Sequence, residues 1–421
     1  MSQSTHYDAI VVGSGPGGAS VARELAMLGR RVLILEQGSA AQMAGIGAVP
    51  GRGAFIHRDA SLLVQGVSAG GSSTVNFATA ADPPAALFAA HGIALDAVLR
   101  ELRAELPIGQ LPDSLVGPMA TRIMAGARSL GMEWNKLEKM IRPQICRSGC
   151  WRCAYGCPFG AKWTARDFID QAVQHGATLQ DGATARRAVV EDGKAVGVDY
   201  VRGGQRQRAM AAIVVLAGGG LGSPRLLHAS GLWPRSSAFF SDPVVAVMGS
   251  VDDIDGGAEV PMATGMRYDD QGISLADLTL PKPMYQGFTA QVGRFDRLFA
   301  HRRTLSIMVK IRDEIGGSVG PRWADKRLQA SDRAKLASGV GMAREVLAAC
   351  GAKHIFKSWH FAAHPGGSVR IGEGVDRNLQ TASAGLYVCD ASVIPQAWGL
   401  PPTLTLLCLG KRLGQHLADA I

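Results

Sequence analysis

Six residues, Gly13-Ser14-Gly15-Pro16-Gly17-Gly18, stand between the apolar segment YDAIVV at 7–12 and the helical pattern ASVARELAMLG, which Gly29 ends. RVLILEQG then reads as a second buried strand, so the chain opens on a βαβ unit. Gly13 permits a tight turn, Gly15 lets the backbone approach a pyrophosphate, and Gly18 allows close packing of helix on strand. Pro16 and Gly17 lead into the helix, whose N-terminus presents unpaired N–H groups and a partial positive charge that suit phosphates. Glu36 ends the second strand, 18 residues after Gly18, where a carboxylate can accept a bond from an adenosine ribose hydroxyl. Strand, glycines, helix, strand and acid in this order predict a nucleotide site on a parallel sheet. They do not separate FAD from NAD.

A chain of 421 residues exceeds one ordinary core, which predicts two closely packed domains. Its 47% hydrophobic and 19% charged residues fit a well-buried enzyme. The net charge of +9 is spread out rather than gathered in a stripe with aromatics, which argues against nucleic acid. Attraction to an acidic redox partner or an anionic membrane surface stays open. No apolar run approaches the length of about 18 residues needed to span a bilayer. The N-terminus, MSQSTHYD, lacks a charged region followed by an apolar one. The expectation is a cytoplasmic protein, or one peripheral on the cytoplasmic face of a membrane. Seven cysteines, an odd number, argue against a disulfide framework.

Beyond the opening unit, 61–80 is rich in Gly and Ser, 84–135 reads as largely helical, and 163–175 as a helix ending near Gly176. Residues 183–216 predict a three-stranded antiparallel meander with turns at Asp192-Gly193 and Gly203-Gly204, its third strand running through QRQRAMAAIVVLA. A Gly-rich turn and a helix follow. Residues 235–330 read as short strands and polar turns, 331–350 as helix. The tail holds the strand GLYVCD, a Pro/Gly-rich loop and a last helix from Thr403.

Three further segments carry a resemblance. GVSAGGSSTVN at 66–76 resembles the GG-S-S-x-x-N loop of the glucose–methanol–choline (GMC) oxidoreductases. VVLAGGGLGSPRLLHASG at 214–231 resembles that family's second signature. HPGGSVRIG from His364, with GLYVCDASVIPQAWGLPPTLTL, resembles its C-terminal flavin and active-site block. The resemblance implies an α/β (α+β) fold: a Rossmann-like FAD-binding domain with a parallel sheet and an antiparallel meander, and an antiparallel-sheet substrate domain. It implies FAD as cofactor and oxidation of a CH–OH group with hydride delivered to the flavin. It places Gly70, Gly71, Ser72 and Asn76 along the flavin, and Asp390 and Ala391 near its ribityl–diphosphate chain. Ala217, Gly218, Pro402 and Thr403 complete the implied cofactor contacts. The implied division is 1–80, 158–232 and 361–421 for FAD, 81–145 and 233–360 for substrate, and 146–157 for the cysteines.

His364 matches the family's active-site histidine, and an imidazole suits the task of taking a hydroxyl proton at neutral pH. His360 is a second candidate. The chain departs from the family at GLPPT, 399–403, where relatives usually carry Asn or His near the first proline. Pro401 and Pro402 have neither a side-chain donor nor an N–H. Within the substrate region, MYQGF at 284–288 and VVAVMGSV at 244–251 hint at a lined pocket, and packing explains them equally well.

Cys146, Cys150, Cys153 and Cys157 form C-x3-C-x2-C-x3-C-P, four soft thiolates within twelve residues. The spacing suits an iron–sulfur cluster, with structural zinc or unligated thiols as alternatives. CAYGCPFGAK resembles a run in iron–sulfur dehydrogenase subunits of the same family, which implies a 4Fe-4S or 3Fe-4S cluster beside FAD. Electrons would then pass to a quinone, a cytochrome or a ferredoxin-like protein. Trp151, Tyr155 and Trp163 are expected to pack around it, and Lys162 and Arg166 to face solvent. Two competing readings remain: a flavin-dependent desaturase, saturase or isomerase acting on a C–C bond, and a non-catalytic electron-transfer flavoprotein subunit.

Overall fold

The structure, a computed structural model, describes residues 6–41, 54–56 and 62–418. The first five residues, on which the expectation about a leader partly rests, lie outside them. The apolar runs Ala9–Val12, Val32–Leu35 and Ile213–Leu216 are buried on both faces. Such runs suit a parallel sheet covered on both sides. Together with Leu386–Val388 and Thr178–Gln180 they build a five-stranded sheet in which Ala9–Val12 is central, between Val32–Leu35 and Ile213–Leu216. The first helix, Pro16–Met27, packs against the last, Thr403–Ala418. Their contact is close because Gly410 and Gly414 leave no room for a side chain: a Cβ there would lie 2.6 Å from the Gly17 carbonyl oxygen and 2.5 Å from Glu24 Cβ.

The meander is present as Ala183–Glu191, Lys194–Arg202 and Gln205–Met210. Its third strand is shorter than expected. At Ala211 the chain leaves the meander, and Ile213–Leu216 pairs in register with Ala9–Val12 instead. The pattern shows the reason: QRQRAM is polar and largely exposed, whereas IVVL is wholly buried.

A nine-stranded sheet forms the other half of the molecule. Its centre is Pro243–Ser250 antiparallel to Thr304–Ile311, followed by Ile273–Asp277 and Thr264–Tyr268. On one face the helix Ala330–Ala349 covers Leu305, Ile307, Val309 and Ile311. The opposite face, with Val244, Ala246 and Met308, turns toward a second apolar cluster that includes Tyr285 and Phe288. Those two belong to a helix, Lys282–Gln291, where only strands and turns were expected. Pro281 and Pro283 start it, a role proline fills well at a helix entry. The stretch 84–135 holds helices Ala85–Ala89, Asp96–Glu105 and Pro118–Ser129, and also a strand, Ile108–Gln110, paired with Glu138–Met140. No helix among the described residues is long and apolar enough to cross a membrane.

Candidate active site

The glycine turn has the close backbone approaches that its spacing leads one to expect. Gly13 has φ +102°, and a Cβ on it would lie 2.3 Å from the Ala217 carbonyl oxygen. Cβ atoms on Gly17 and Gly18 would meet the carbonyl oxygens of Cys389 and Gly13 at 2.1 and 2.2 Å. Gly15 differs: nothing lies within 4 Å of the position its Cβ would take. It is the N-cap of the first helix and makes no side-chain cap bond. The first-turn N–H groups therefore open onto space, the arrangement a pyrophosphate requires.

Ser14, which the motif reading passed over, ties this turn to its neighbours. Its hydroxyl donates to Glu36 Oε2 at 2.6 Å and accepts from the Gly70 N–H at 3.1 Å. Glu36 is 5% exposed, and its other oxygen accepts from the Gly38 N–H at 2.7 Å. Burial pushes its carboxyl up, against those hydrogen bonds. Gly70 (φ +94°) enters the turn Gly71–Thr74; Gly71, also at positive φ, lies so close to Gly15 that a Cβ would come within 2.8 Å of the Gly15 Cα. Asn76 donates to Thr403 Oγ1 at 3.2 Å, and Ser72 accepts from the Gly66 N–H at 3.0 Å. Asp390 accepts from the Gly219 N–H at 2.8 Å and from the Ser223 hydroxyl.

One cavity of about 750 Å³ joins these parts. It is lined by Gly13, Gly15, Pro16, Gly17, Glu36, Gly71, Ser72, Asn76, Ala217, Gly218, Asp390, Ala391, Pro402, Thr403 and His364. Gly18 and Gly70 are not on its wall, and they shape the turns behind it. His360 is half-buried and also off the wall. The residues fit FAD: an open helix N-terminus, a buried acid at the end of the second strand, and a long channel between the glycine turn and His364.

At the far end, His364 Nδ1 lies 3.1 Å from Asp242 Oδ2. Asp242 is fully buried, has φ +48°, and accepts from the Gly399 N–H at 2.8 Å. Asp313 in turn accepts from the N–H groups of Ser241 and Asp242 at 3.0 and 2.9 Å and pairs with Lys326 at 3.0 Å. Burial lowers the His364 pKa, with Asp242 opposing and the nearby Lys310 assisting. A carboxylate on Nδ1 orients the ring and leaves Nε2 to act as the base. Asp242 was not read from the sequence. A lone Asp after FFS carries no motif, and only the fold brings it against a residue 122 positions away. Around this end Val244, Met262, Leu278, Leu280, Met284, Met308 and Phe361 form an apolar chamber. Thus one residue of each hinted segment, Val244 and Met284, faces it.

The four cysteines behave differently. All are free thiols, and Cys153 is buried. Among the described residues no group of three or more His, Cys, Asp or Glu side chains is placed to share a metal ion. The expected ligand set Cys146, Cys150, Cys153 and Cys157 is thus not assembled, and the residues as placed do not fit a cluster. Burial and the neighbouring Cys153 push the Cys146 thiol up to about 11. The segment still reaches the cavity, because Ala154 and Tyr155 line it. Trp151 stands edge-on to Tyr155 and Trp163 to Phe168.

Lys162 corrects an expectation. It does not face solvent: it is 3% exposed and donates to the carbonyls of Ser73, Thr74, Asn76 and Cys153 at 2.7–3.0 Å. An ammonium has three protons, so the four carbonyls share them, and the contact ties the cysteine loop to the Ser73–Asn76 loop. Arg166 bonds the Ala40 carbonyl and pairs with Asp170 at 3.5 Å.

Residues 7–246 and 319–410 match the N- and C-terminal sequence models described as GMC oxidoreductase. An uncharacterized GMC-type oxidoreductase of Mycobacterium tuberculosis is 27% identical over 96% of this chain and 75% of its own length. A long-chain-alcohol oxidase of Arabidopsis thaliana is 25% identical over 97% of this chain and 66% of its own. Among solved structures, pyridoxine 4-oxidase from Mesorbium loti superposes with a TM-score of 0.75 at 18% identity, covering 98% of this chain and 99% of that one. Formate oxidase of Aspergillus oryzae gives 0.76 at 16%, covering 100% and 99%. At these identities the likeness shows a shared fold.

Proposed function

The chain belongs to the GMC oxidoreductase family, an FAD-dependent oxidoreductase, and on that premise we propose that it oxidises the CH–OH group of an alcohol with an apolar body. The observation that carries the reading is the pair His364–Asp242 at the mouth of an apolar chamber, in the same cavity as the nucleotide turn. Bound FAD supplies the acceptor for the two electrons and the hydrogen leaving carbon. The chain does the rest. His364 Nε2 takes the hydroxyl proton, Asp242 holds the ring and favours the imidazolium, and the chamber walls exclude water and orient the apolar body. Gly13, Gly15, Pro16, Gly17, Gly18, Glu36, Gly70, Gly71, Ser72, Asn76, Ala217, Gly218, Asp390, Ala391, Pro402 and Thr403 hold the cofactor in this proposal, and His360 stands outside it. The division into FAD-binding segments 1–80, 158–232 and 361–421, with 81–145 and 233–360 for substrate, belongs to the same proposal.

Anaerobic mixing of the holoenzyme with a series of primary alcohols tests it. The expected result is loss of the oxidised flavin absorbance. If no alcohol bleaches the flavin and an unsaturated compound instead reoxidises the reduced enzyme, the C–C reading replaces this one. The oxidases among the relatives make molecular oxygen the acceptor to try first, against a quinone or a cytochrome.

For the cysteine segment, the support for a metal or iron–sulfur group is its spacing alone, since burial pushes the Cys153 thiol up and the buried ammoniums of Lys162 and Lys139 only oppose that shift. No electron step is routed through it. Iron, sulfide and zinc analysis of anaerobically purified protein decides.

A further inference from the structure

Four lysines are buried among the described residues: Lys139, Lys162, Lys310 and Lys326. Three are tied down. Lys139 donates to Thr79 and to the carbonyls of Pro261 and Met262, Lys162 to four carbonyls, and Lys326 pairs with Asp313. Lys310 is 4% exposed and lines the cavity, and no hydrogen bond or ion pair among the described residues engages its ammonium. Burial pushes the Lys310 ammonium below the ordinary lysine range while the buried Asp242 carboxylate nearby opposes the shift, so the charge is countered through space but no acceptor among the described residues takes its protons, which are left to the cavity.

Its placement is fixed by the sheet. In Thr304–Ile311 alternate residues point to opposite faces. Leu305, Ile307, Val309 and Ile311 go to the helix side; Met308 and Lys310 go to the chamber. Lys310 stands across from Val244, two residues beyond the Asp242 that holds His364. Base and cation thus flank one strand, Pro243–Ser250: His364 follows Phe361–Ala362 on one side of it and Lys310 stands on Thr304–Ile311 on the other, at the same end of the chamber. There Pro401 and Pro402 also line the wall, and neither has a donor to offer.

We propose that Lys310 is a catalytic residue whose ammonium meets the substrate oxygen, in place of the side-chain donor that the two prolines lack. The proposal rests on the alcohol reading above for its reaction. There, the hydroxyl proton passes to His364 and the carbon–hydrogen electron pair leaves as hydride to the flavin. Negative charge sits on oxygen until the carbon–oxygen double bond is complete. Lys310 transfers nothing; it stabilises that charge in a chamber with little other polarity, where a fixed donor counts most. The ligand class follows: an apolar body ending in a single oxygen function, with a carboxylate of equal length as a permanently anionic competitor.

The test needs two comparisons. Wild-type holoenzyme is titrated with decanoate and with the neutral decanamide, followed by the flavin spectrum. Decanoate is expected to bind tighter by about tenfold or more, as a charge-assisted bond predicts. Lys310→Met, matched in shape, is expected to lose that preference and to lower kcat about a hundredfold, with KM for a primary alcohol little changed. Equal binding of the two ligands by the wild type overturns the proposal, and this comparison holds even if the variant fails to retain FAD. An FAD-loaded variant with unchanged preference and kcat also overturns it. If no alcohol reduces the flavin yet decanoate binding depends on Lys310, the alcohol reading falls and the oxygen site stands.

Discussion

Two residues of one turn separate folding from binding. Gly15→Ala places a methyl group in open space, whereas Gly13→Ala drives one into the Ala217 carbonyl from a backbone that L side chains rarely adopt. Gly15→Ala is expected to leave the urea midpoint of FAD-free protein within about 0.5 kcal/mol of wild type while weakening FAD binding. Gly13→Ala is expected to cost about 2 kcal/mol or more. Fluorescence titration with FAD and urea unfolding separate the two. His364 makes a pH prediction. Burial lowers its pKa from the ordinary 6.5, so the ring is neutral and able to accept a proton at neutral pH. Activity falls as pH drops through that depressed value, which puts the acid limb below about 6.5. Asp242→Asn removes the carboxylate that favours the imidazolium, so it should move the limb lower still and reduce kcat about a hundredfold. A pH–rate profile that does not move would show that Asp242 only packs. The glycine turn and the acid after the second strand were legible in the sequence because local chain geometry demands residues of those types there, whereas His364 was reached through the family resemblance of its flanking motif. Ser14, Asp242 and Lys310 were not, since their roles depend on partners that only the tertiary fold supplies. Lys310 did leave a trace: a charge inside the apolar run LSIMVKI.

At the scale of elements, the site is held by chains of buried charge. Lys326 pairs with Asp313, Asp313 fixes the Ser241-Asp242 turn, and Asp242 holds His364. Asp313→Ala leaves Lys326 without its carboxylate and two backbone N–H groups without an acceptor. It should cost about 3–5 kcal/mol in denaturant unfolding. Lys162 binds the cysteine loop to the Ser73–Asn76 loop in the same manner. Lys162→Met strands buried carbonyls, at about 2–3 kcal/mol, and should raise the Kd for FAD. A variant of unchanged stability would show that water replaces the ammonium. Element boundaries were legible where a strand's burial pattern was uniform. The meander's third strand was overextended because two different strands, QRQRAM and IVVL, adjoin with only two residues between them. The helix Lys282–Gln291 was missed because its prolines and Gly287 read as turns.

Across the whole molecule, the cavity wall draws on residues from Val12 to Leu406. A ligand that touches both ends of a chain links their unfolding. Saturating FAD, at a hundred times its Kd, should add about 2.7 kcal/mol to stability in a single cooperative transition. Calorimetry with two separated transitions, only one of them shifted by FAD, would show instead that the antiparallel half melts on its own. The family resemblance foretold the parallel sheet and meander because those parts handle an invariant cofactor. It said little about the nine-stranded half, whose side chains answer to a particular substrate.

The register Val244↔Lys310 sets more than a contact. Neighbouring strands keep a spacing of about 4.8 Å whatever their side chains. His364 follows Phe361–Ala362 and Lys310 stands on Thr304–Ile311, both paired to Pro243–Ser250, so the interval between proton acceptor and cation spans two such spacings and is gauged by backbone, while Met284 lines the chamber from a separate helix. Trimming or enlarging that methionine should retune which chain lengths are accepted and leave the reactive end untouched, so specificity and chemistry can drift independently over generations.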